Sequence, residues 1–427
     1  MKTVYLIMIG CALLGCKKQS NGLEDKTGSY SGIFEHGDFS TPIQFEVEQD
    51  SSGWNVFFTS LEQNANRIPL QNIEIDKDSI HFVLQSDFYT YSFRNKWNED
   101  RTQLEGVLAV DSVETGYVLE RKLGYFPDGI KSKEVQFEAN GLNLKGTIWY
   151  SEKNDKKGMV LVSSSGNADR SASRAEAILL AQKGYTIFHY DKRGTGASEG
   201  EWGSASMEEL LSDDMRAIRY FSSEMNLPLS AIGIKGSSQG GAKIPFILNA
   251  IKELKYGIIV SCPGTTLLES DLNYWKNRNA RLIGADINSA SEIQRKVFEY
   301  IAGTISRGEL EHIIASSQSE QWFEHIWVPD LNDVERDTKL LYNPIPHFEK
   351  VEQPVLVIQG TLDEIIPSNS YDVIAKSLVK ANNKFEIELL EGASHSMYNV
   401  GKSDFMYWSK LHPEYLKVLD RWLATID

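Results

Sequence analysis

The chain has 427 residues, of which 41% are hydrophobic, 24% charged and 11% aromatic. This excludes a mainly disordered polymer and allows two or three domains, or one large α/β domain. Acidic residues outnumber basic ones 59 to 44, giving a net charge of −15, and a surface this acidic repels phosphate backbones, so nucleic acid is not an expected partner. No long apolar run follows the amino terminus, which argues against a polytopic membrane protein.

Lys2 precedes an apolar stretch from Val4 to Gly15, followed by Cys16. As a helix the stretch measures about 18 Å, short of a hydrocarbon core of about 30 Å. It has the form of a secretory signal. Leu13-Leu14-Gly15-Cys16 resembles a bacterial lipobox, in which cleavage before the cysteine leaves a lipid-modified thiol. Cys11 is a poorer candidate, and a buried first strand or an uncleaved anchor is the alternative. The expectation is a signal at 1–15, a lipid on Cys16, a polar tether at 16–27, and a place in the bacterial envelope, lipid-anchored or secreted, in the periplasm or at the cell surface. Cys262 would then be the remaining thiol, so no disulfide framework and no zinc spacing can be built.

From 28 to 125 short runs alternate apolar and polar residues with period two. Examples are Ile43-Gln44-Phe45-Glu46-Val47, Ile73-Glu74-Ile75 and Tyr89-Thr90-Tyr91-Ser92-Phe93, with turn residues between them. This predicts a small all-β domain, a sandwich or barrel. His36 and His81 fall in it without a polar cluster around either.

The texture changes after Gly124–Gly129. Two strands flank Asn140-Gly141, a strong hairpin signal. Strand patterns at 158–163, a continuous apolar run, and at 185–190, 231–235, 256–260, 355–359 and 384–389 then alternate with helical patterns such as 175–183 and 207–224. Such alternation over 130–427 predicts a mostly parallel sheet with helices on both faces. Between about 265 and 343 it stops. Ile293, Val297, Ile301 and Ile305 are spaced for a helix, which suggests a helical cap inserted over a site, with ordinary surface helices as the alternative.

Gly236-Ser237-Ser238-Gln239-Gly240 fits G-x-S-x-G, and its context matters more than the pattern. A strand runs into it and a helix runs out, the strand–turn–helix that a nucleophile elbow needs. A serine hydroxyl needs a base, and the base needs an orienting acid. Asp363 follows the strand at 355–359, with Glu364 in reserve, and His395 follows the strand at 384–389. Both therefore fall at strand carboxyl ends, where sites gather in open α/β sheets. His189 lies within a strand pattern, and His312, His325, His347 and His412 lie elsewhere, so they compete poorly. The backbone N–H of Gln239 and that of Ser165, in the loop after the strand at 158–163, are the expected oxyanion donors, with Ser164 the neighbour of Ser165. No HExxH or paired-cysteine ligand set is present, so neither metal nor cofactor is expected.

From about Val135 to the end the chain resembles the α/β-hydrolases, and within them the bacterial carboxylesterases and serine aminopeptidase-like hydrolases that carry an extra amino-terminal β domain. The resemblance rests on Tyr190-Asp191-Lys192-Arg193-Gly194-Thr195-Gly196-Ala197-Ser198, the Ser238 elbow, Tyr342-Asn343-Pro344-Ile345-Pro346 and the Asp363 and His395 segments. It implies a serine hydrolase that cleaves carboxylic esters through an acyl-enzyme on Ser238, His395 and Asp363, acting on a small ester or a short peptide. Asp191 and Arg193 are expected to form a structural ion pair. Relatives commonly have His-Gly where this chain has Ser163-Ser164, a change that bears on the aim of the oxyanion loop. A peptidase or thioesterase with the same machinery, and a catalytically silent surface-anchored binding protein, remain open at this point, as does the oligomeric state.

Overall fold

A computed structural model describes residues 26–426, apart from 52, 87–88, 123–128, 152–155, 382 and 401–404. The signal-like segment with Cys11 and Cys16, most of the tether, and most of the Gly124–Gly129 boundary lie outside the described residues. Among the described residues no helix is long and apolar enough to cross a membrane. The chain forms two compact units. Of the described residues, the first comprises those within 26–32, 44–57 and 69–122, and the second those within 33–43, 58–68 and 129–426.

The period-two runs of the amino-terminal part form one nine-stranded sheet. Its order is Ala65–Pro69, Gly53–Ser60, Phe39–Asp50, Gly28–His36, Val113–Lys122, Gln103–Val110, Thr90–Trp97, Ser79–Gln85, Gln71–Ile75. In Thr90–Trp97 the residues Tyr91, Phe93, Asn95 and Trp97 are buried, while those between them are more open, as a one-sided sheet requires. The core of the first unit is aromatic. Phe45 meets Phe82 and Phe93 at ring separations of 4.7 and 5.1 Å.

The second unit holds an eight-stranded sheet. We number its strands β1 (Ile130–Ala139), β2 (Leu142–Ser151), β3 (Gly158–Val162), β4 (Thr186–Tyr190), β5 (Ile232–Ser237), β6 (Tyr256–Val260), β7 (Val355–Gly360) and β8 (Phe385–Leu390). Their spatial order is β1-β2-β4-β3-β5-β6-β7-β8. The β1–β2 and β2–β4 pairs are antiparallel, and every later pair is parallel. The central strands β3, β6 and β7 are buried throughout and mostly apolar because both of their faces are covered, whereas the edge strand β8 carries Glu386 and Glu388 and is more open. Along β3, Val160 and Val162 join one core while Met159 and Leu161 join the other. The first core holds buried residues of α2 (Met207–Glu224), α3 (Gln239–Ala250) and α8 (Ser370–Lys380). The second holds those of α1 (Arg174–Gln182) and α9 (Pro413–Ile426). The start of α2 is fixed by a reciprocal capping box between Ser206 and Glu209.

The alternation stops where the sequence indicates. After β6 come α4 (Leu267–Ile283), α5 (Ile287–Ile301) and α6 (Arg307–Ser317), which close over an apolar cluster of their own around Trp275, Val297, Leu310 and Trp322. A short helix α7 (Ile345–Phe348) leads into β7. This architecture is an α/β-hydrolase sheet with a helical insertion.

The segments 33–43 and 58–68, from strands of the first sheet, pack within the second unit against the stretch that follows His395. The Trp408 ring lies 4.7 Å from that of Phe34 and stacks at 5.8 Å on that of Phe58. Leu411 N–H donates to Glu62 O (2.7 Å) and Tyr398 Oη to Gln63 O (3.0 Å).

Candidate active site

Strand β5 delivers Ser238 into a backbone conformation that serine seldom adopts, φ 53° and ψ −125°. Its N–H donates to Val260 O (2.9 Å), and its carbonyl accepts from Ala242 N–H (3.0 Å), the first turn of α3. The flanking glycines are sterically required. A Cβ on Gly236 would lie 2.4 Å from the carbonyl carbon of Gly240, and one on Gly240 would lie 2.6 Å from Val162 O. Strand and helix thus close on the turn from both sides and leave Ser238 at its tip.

Asp363 follows β7 with its side chain 1% exposed. Its Oδ1 accepts from the N–H groups of Ile365 (3.0 Å) and Ile366 (2.9 Å), which fix the carboxylate. The imidazole of His395 meets it through Nδ1, at 2.9 and 3.0 Å from the two oxygens. A carboxylate only accepts, so Nδ1 carries the proton and Nε2 keeps its lone pair. Glu364 also reaches this loop, but through the backbone, accepting from His395 N–H at 3.2 Å. Ser261, itself at φ 47°, donates from Oγ to His395 O at 2.7 Å. The close seating of the histidine loop depends on Gly360, whose Cβ would lie 2.2 Å from Ala393 O.

Two cavities meet at Ser238. The larger, about 280 Å³, is bounded by Ser238, His395, Ser164, Ser165 and Lys192. The smaller, about 160 Å³, is bounded by Ser238, Gln239 and Ser165, with Leu267, Asp271 and Leu340 contributed by the helical insertion. The structure therefore brings Ser165, Ser238 and Gln239 to one cavity, Ser238 and His395 to the other, and Asp363 into contact with His395.

The Ser163-Ser164 departure does not strain the loop. None of Ser163, Ser164 and Ser165 has a positive φ, and the left-handed turn falls on Gly166 at φ 75°. Two lysines grip this loop. Lys243 Nζ lies 3.4 Å from Ser163 Oγ, and Lys192 Nζ donates to Ser164 O (2.8 Å) and Ser165 O (3.3 Å). Lys243 is neutralised by Asp214 at 2.7 Å, both side chains being 1% exposed.

The expected Asp191–Arg193 pair does not form. Arg193 instead holds Asp213 (2.6 and 2.9 Å) and Glu209 (2.6 Å), while Asp191 pairs with Arg170 and accepts from Ala197 N–H (2.9 Å). The reason is geometric. Gly196 brings the turn so close that its Cβ would lie 2.4 Å from Asp191 Oδ2, so Asp191 faces inward to its own loop. His189 is a satisfied core side chain. Trp149 Nε1 donates to its Nε2 (2.9 Å), Ser173 Oγ lies 2.8 Å from its Nδ1, and burial pushes its pKa down to about 3. Cys262 is free and buried, and burial pushes its thiol up.

Asp271, Trp202 and Lys192 around these cavities are not marked as site residues by sequence reasoning. Lys192 lies inside the Tyr190–Ser198 motif. Asp271 lies one turn into a helix whose face toward the site no linear pattern reveals. Asp271 is open to solvent through the small cavity, yet the surrounding protein desolvates it and pushes its pKa up to about 6, the Asp337 carboxylate adding to the effect.

The sheet order, the Ser238 turn and the Asp363–His395 contact define an α/β-hydrolase. The chain belongs to the X-Pro dipeptidyl-peptidase (S15) family, whose profile it matches over residues 140–389, more than half its length, a span that includes Ser238 and Asp363. Among curated proteins it is 23% identical over 234 residues to an uncharacterised 31.7 kDa protein of the Escherichia coli traX-finO intergenic region, covering 50% of this chain and 77% of that one. Among solved structures it is similar to a Pyrococcus furiosus esterase (14% identity, 71% of this chain and 92% of that one, TM-score 0.44). It is also similar to the Pyrococcus horikoshii acylaminoacyl peptidase (14% identity, 86% and 66%, TM-score 0.43).

Proposed function

We propose that this chain is a serine hydrolase that transfers an acyl group to water through Ser238. The observation that supports this most is Ser238 on a strained turn, facing the cavity where His395 stands with Nδ1 held by Asp363. In this reading Ser238 Oγ forms a bond to the substrate carbonyl carbon while His395 Nε2 takes its proton. The N–H groups of Ser165 and Gln239 stabilise the oxyanion. The tetrahedral adduct expels the alcohol, which takes the proton from Nε2, and water then releases the acid by the same steps. Carboxylic esters are the expected substrates, because an alcohol leaving group asks less of the general acid than an amine does. Labelling with a fluorophosphonate tests this directly: the adduct is expected on Ser238, and a folded protein that takes no label there would sink the proposal.

A second reading, an amide or peptide substrate with a free amine, is favoured by Asp271. No donor among the described residues reaches its carboxylate, and the nearby Lys339 is spent on Gly203 O, Ala205 O and Asp337. Three buried polar atoms of the same cavity lack partners among the described residues, Gln239 Oε1, Ser270 Oγ and Trp202 Nε1. An ammonium on the acyl side would give Asp271 its counter-charge. Asp271→Asn is expected to raise KM for aminoacyl nitroanilides about 10- to 100-fold and leave neutral esters near the natural value. Because the folded carboxyl titrates near about 6, the same preference is expected to fade as pH falls through that value. Equal losses on neutral and amine-bearing substrates would refute the role.

The lipobox-like amino terminus supports an envelope location, with the lipid on Cys16 as the membrane attachment.

A further inference from the structure

Of the four buried lysines around the site, Lys235, Lys243 and Lys339 each have a carboxylate within ion-pair distance. Lys192, also buried, has none among the described residues. Its ammonium meets the carbonyls of Ser164 and Ser165 and lies 5.3 Å from the centre of the Trp202 ring. An unpaired buried cation is costly, and such groups concentrate where a fold uses the charge.

We propose that Lys192 is a positioning residue for the oxyanion loop, its ammonium turning the Ser165 N–H toward the reacting carbonyl and strengthening it as a donor. This rests on the acyl-enzyme reading above. Across a planar trans peptide the N–H of Ser165 points opposite to the carbonyl of Ser164. Gripping that carbonyl from behind therefore sets the N–H direction, and gripping the next carbonyl sets the N–H of Gly166 in the same way. Lys192 borders the larger cavity together with Ser238 and His395, and Ser165 borders both cavities. A positive charge on the carbonyl side also polarises each peptide, which makes its N–H a better partner for a developing anion. The Ser163–Ser165 loop has no positive φ, and Lys192 Nζ donates to its carbonyls.

The device has a titration. Burial, then the like charge of Lys243, lowers the Lys192 pKa to about 8, against a raising effect from Asp214. The ammonium is present below that pH and is lost as pH rises through it, so kcat is expected to fall on the alkaline side.

The test is a pH profile of kcat and KM for a neutral short-chain ester, on the full chain and on Lys192→Met and Lys192→Arg, with Ser238→Ala alongside. Lys192→Met is expected to lower kcat about 10²-fold, with KM held within about threefold, and to lack the alkaline limb. Lys192→Arg, whose guanidinium does not titrate in this range, is expected to recover part of kcat and to stay flat to about pH 10. A Lys192→Met protein with natural kcat, beside an inactive Ser238→Ala, would overturn the inference alone. An active Ser238→Ala would overturn the acyl-enzyme reading and the inference with it. If Lys192→Met does not fold, Lys192→Arg decides: an alkaline limb with the same midpoint as the natural chain would overturn the proposal.

Discussion

Ser238→Ala is expected to lower kcat on a short-chain nitrophenyl ester by about 10⁵- to 10⁶-fold and to abolish fluorophosphonate labelling. The size follows from what one atom does. Without Oγ no acyl-enzyme forms, and His395 and Asp363 have no nucleophile to serve, so the three groups are lost together rather than in proportion. The substitution leaves the fold alone. Alanine meets the same backbone geometry at φ 53°, and the N–H to Val260 O and the carbonyl to Ala242 N–H are unchanged. Equal urea midpoints for the two proteins would separate a chemical loss from a structural one. Retention of a tenth of the natural turnover would show that another group carries the reaction.

Asp363→Asn is expected to cost about 10⁴-fold in kcat with little change in KM. Asn has the shape of Asp, and its carbonyl oxygen can still accept from Ile365 and Ile366 N–H, so the loop stays closed. The difference lies at His395. With both carboxylate oxygens near 3 Å from Nδ1, the proton sits on Nδ1 and Nε2 is basic. An Asn amide turned with its NH₂ toward the ring forces the other tautomer, with the proton on Nε2, and a protonated Nε2 cannot accept from Ser238. Asp363 also stabilises the imidazolium that forms when the proton moves, and an amide does not. Glu364→Gln at the neighbouring position is the comparison, because that carboxylate accepts from the His395 backbone N–H rather than from its ring. A Glu364 variant more damaged than the Asp363 one would assign the acid wrongly.

Most of the scaffold was legible in the sequence because period and order are local properties. Helix 207–224 is found with the bounds its apolar spacing indicates, and the hairpin around Asn140-Gly141 pairs Ala139 with Leu142. Ser238, Asp363 and His395 are expected just past strand ends, where the runs give way to Gly, Asp and Ser, and they lie a few residues or less beyond β5, β7 and β8. What could not be read was pairing between distant elements. Arg193 chooses Asp213, twenty residues on, over Asp191, two residues back, because the Gly196 turn points Asp191 inward. Asp271 is one of two acidic residues of α4, and nothing in the sequence sets it apart from Glu269 until the insertion brings it to the cavity beside Ser238. Lys192 sits inside a recognised motif, but its partners are carbonyls, which no residue pattern reports.

The stretch after His395 leans on 33–43 and 58–68, segments that the chain supplies about 60 to 100 residues before the catalytic-unit sheet begins at Ile130. The amino-terminal strands are therefore not a detachable module in the evolutionary sense. A gene fragment beginning at Ile130 would encode all eight strands of the catalytic sheet, yet it would leave Trp408 without Phe34 and Phe58, and Leu411 without Glu62. Shuffling this hydrolase onto another partner would require those two short loans from the early chain to travel with it.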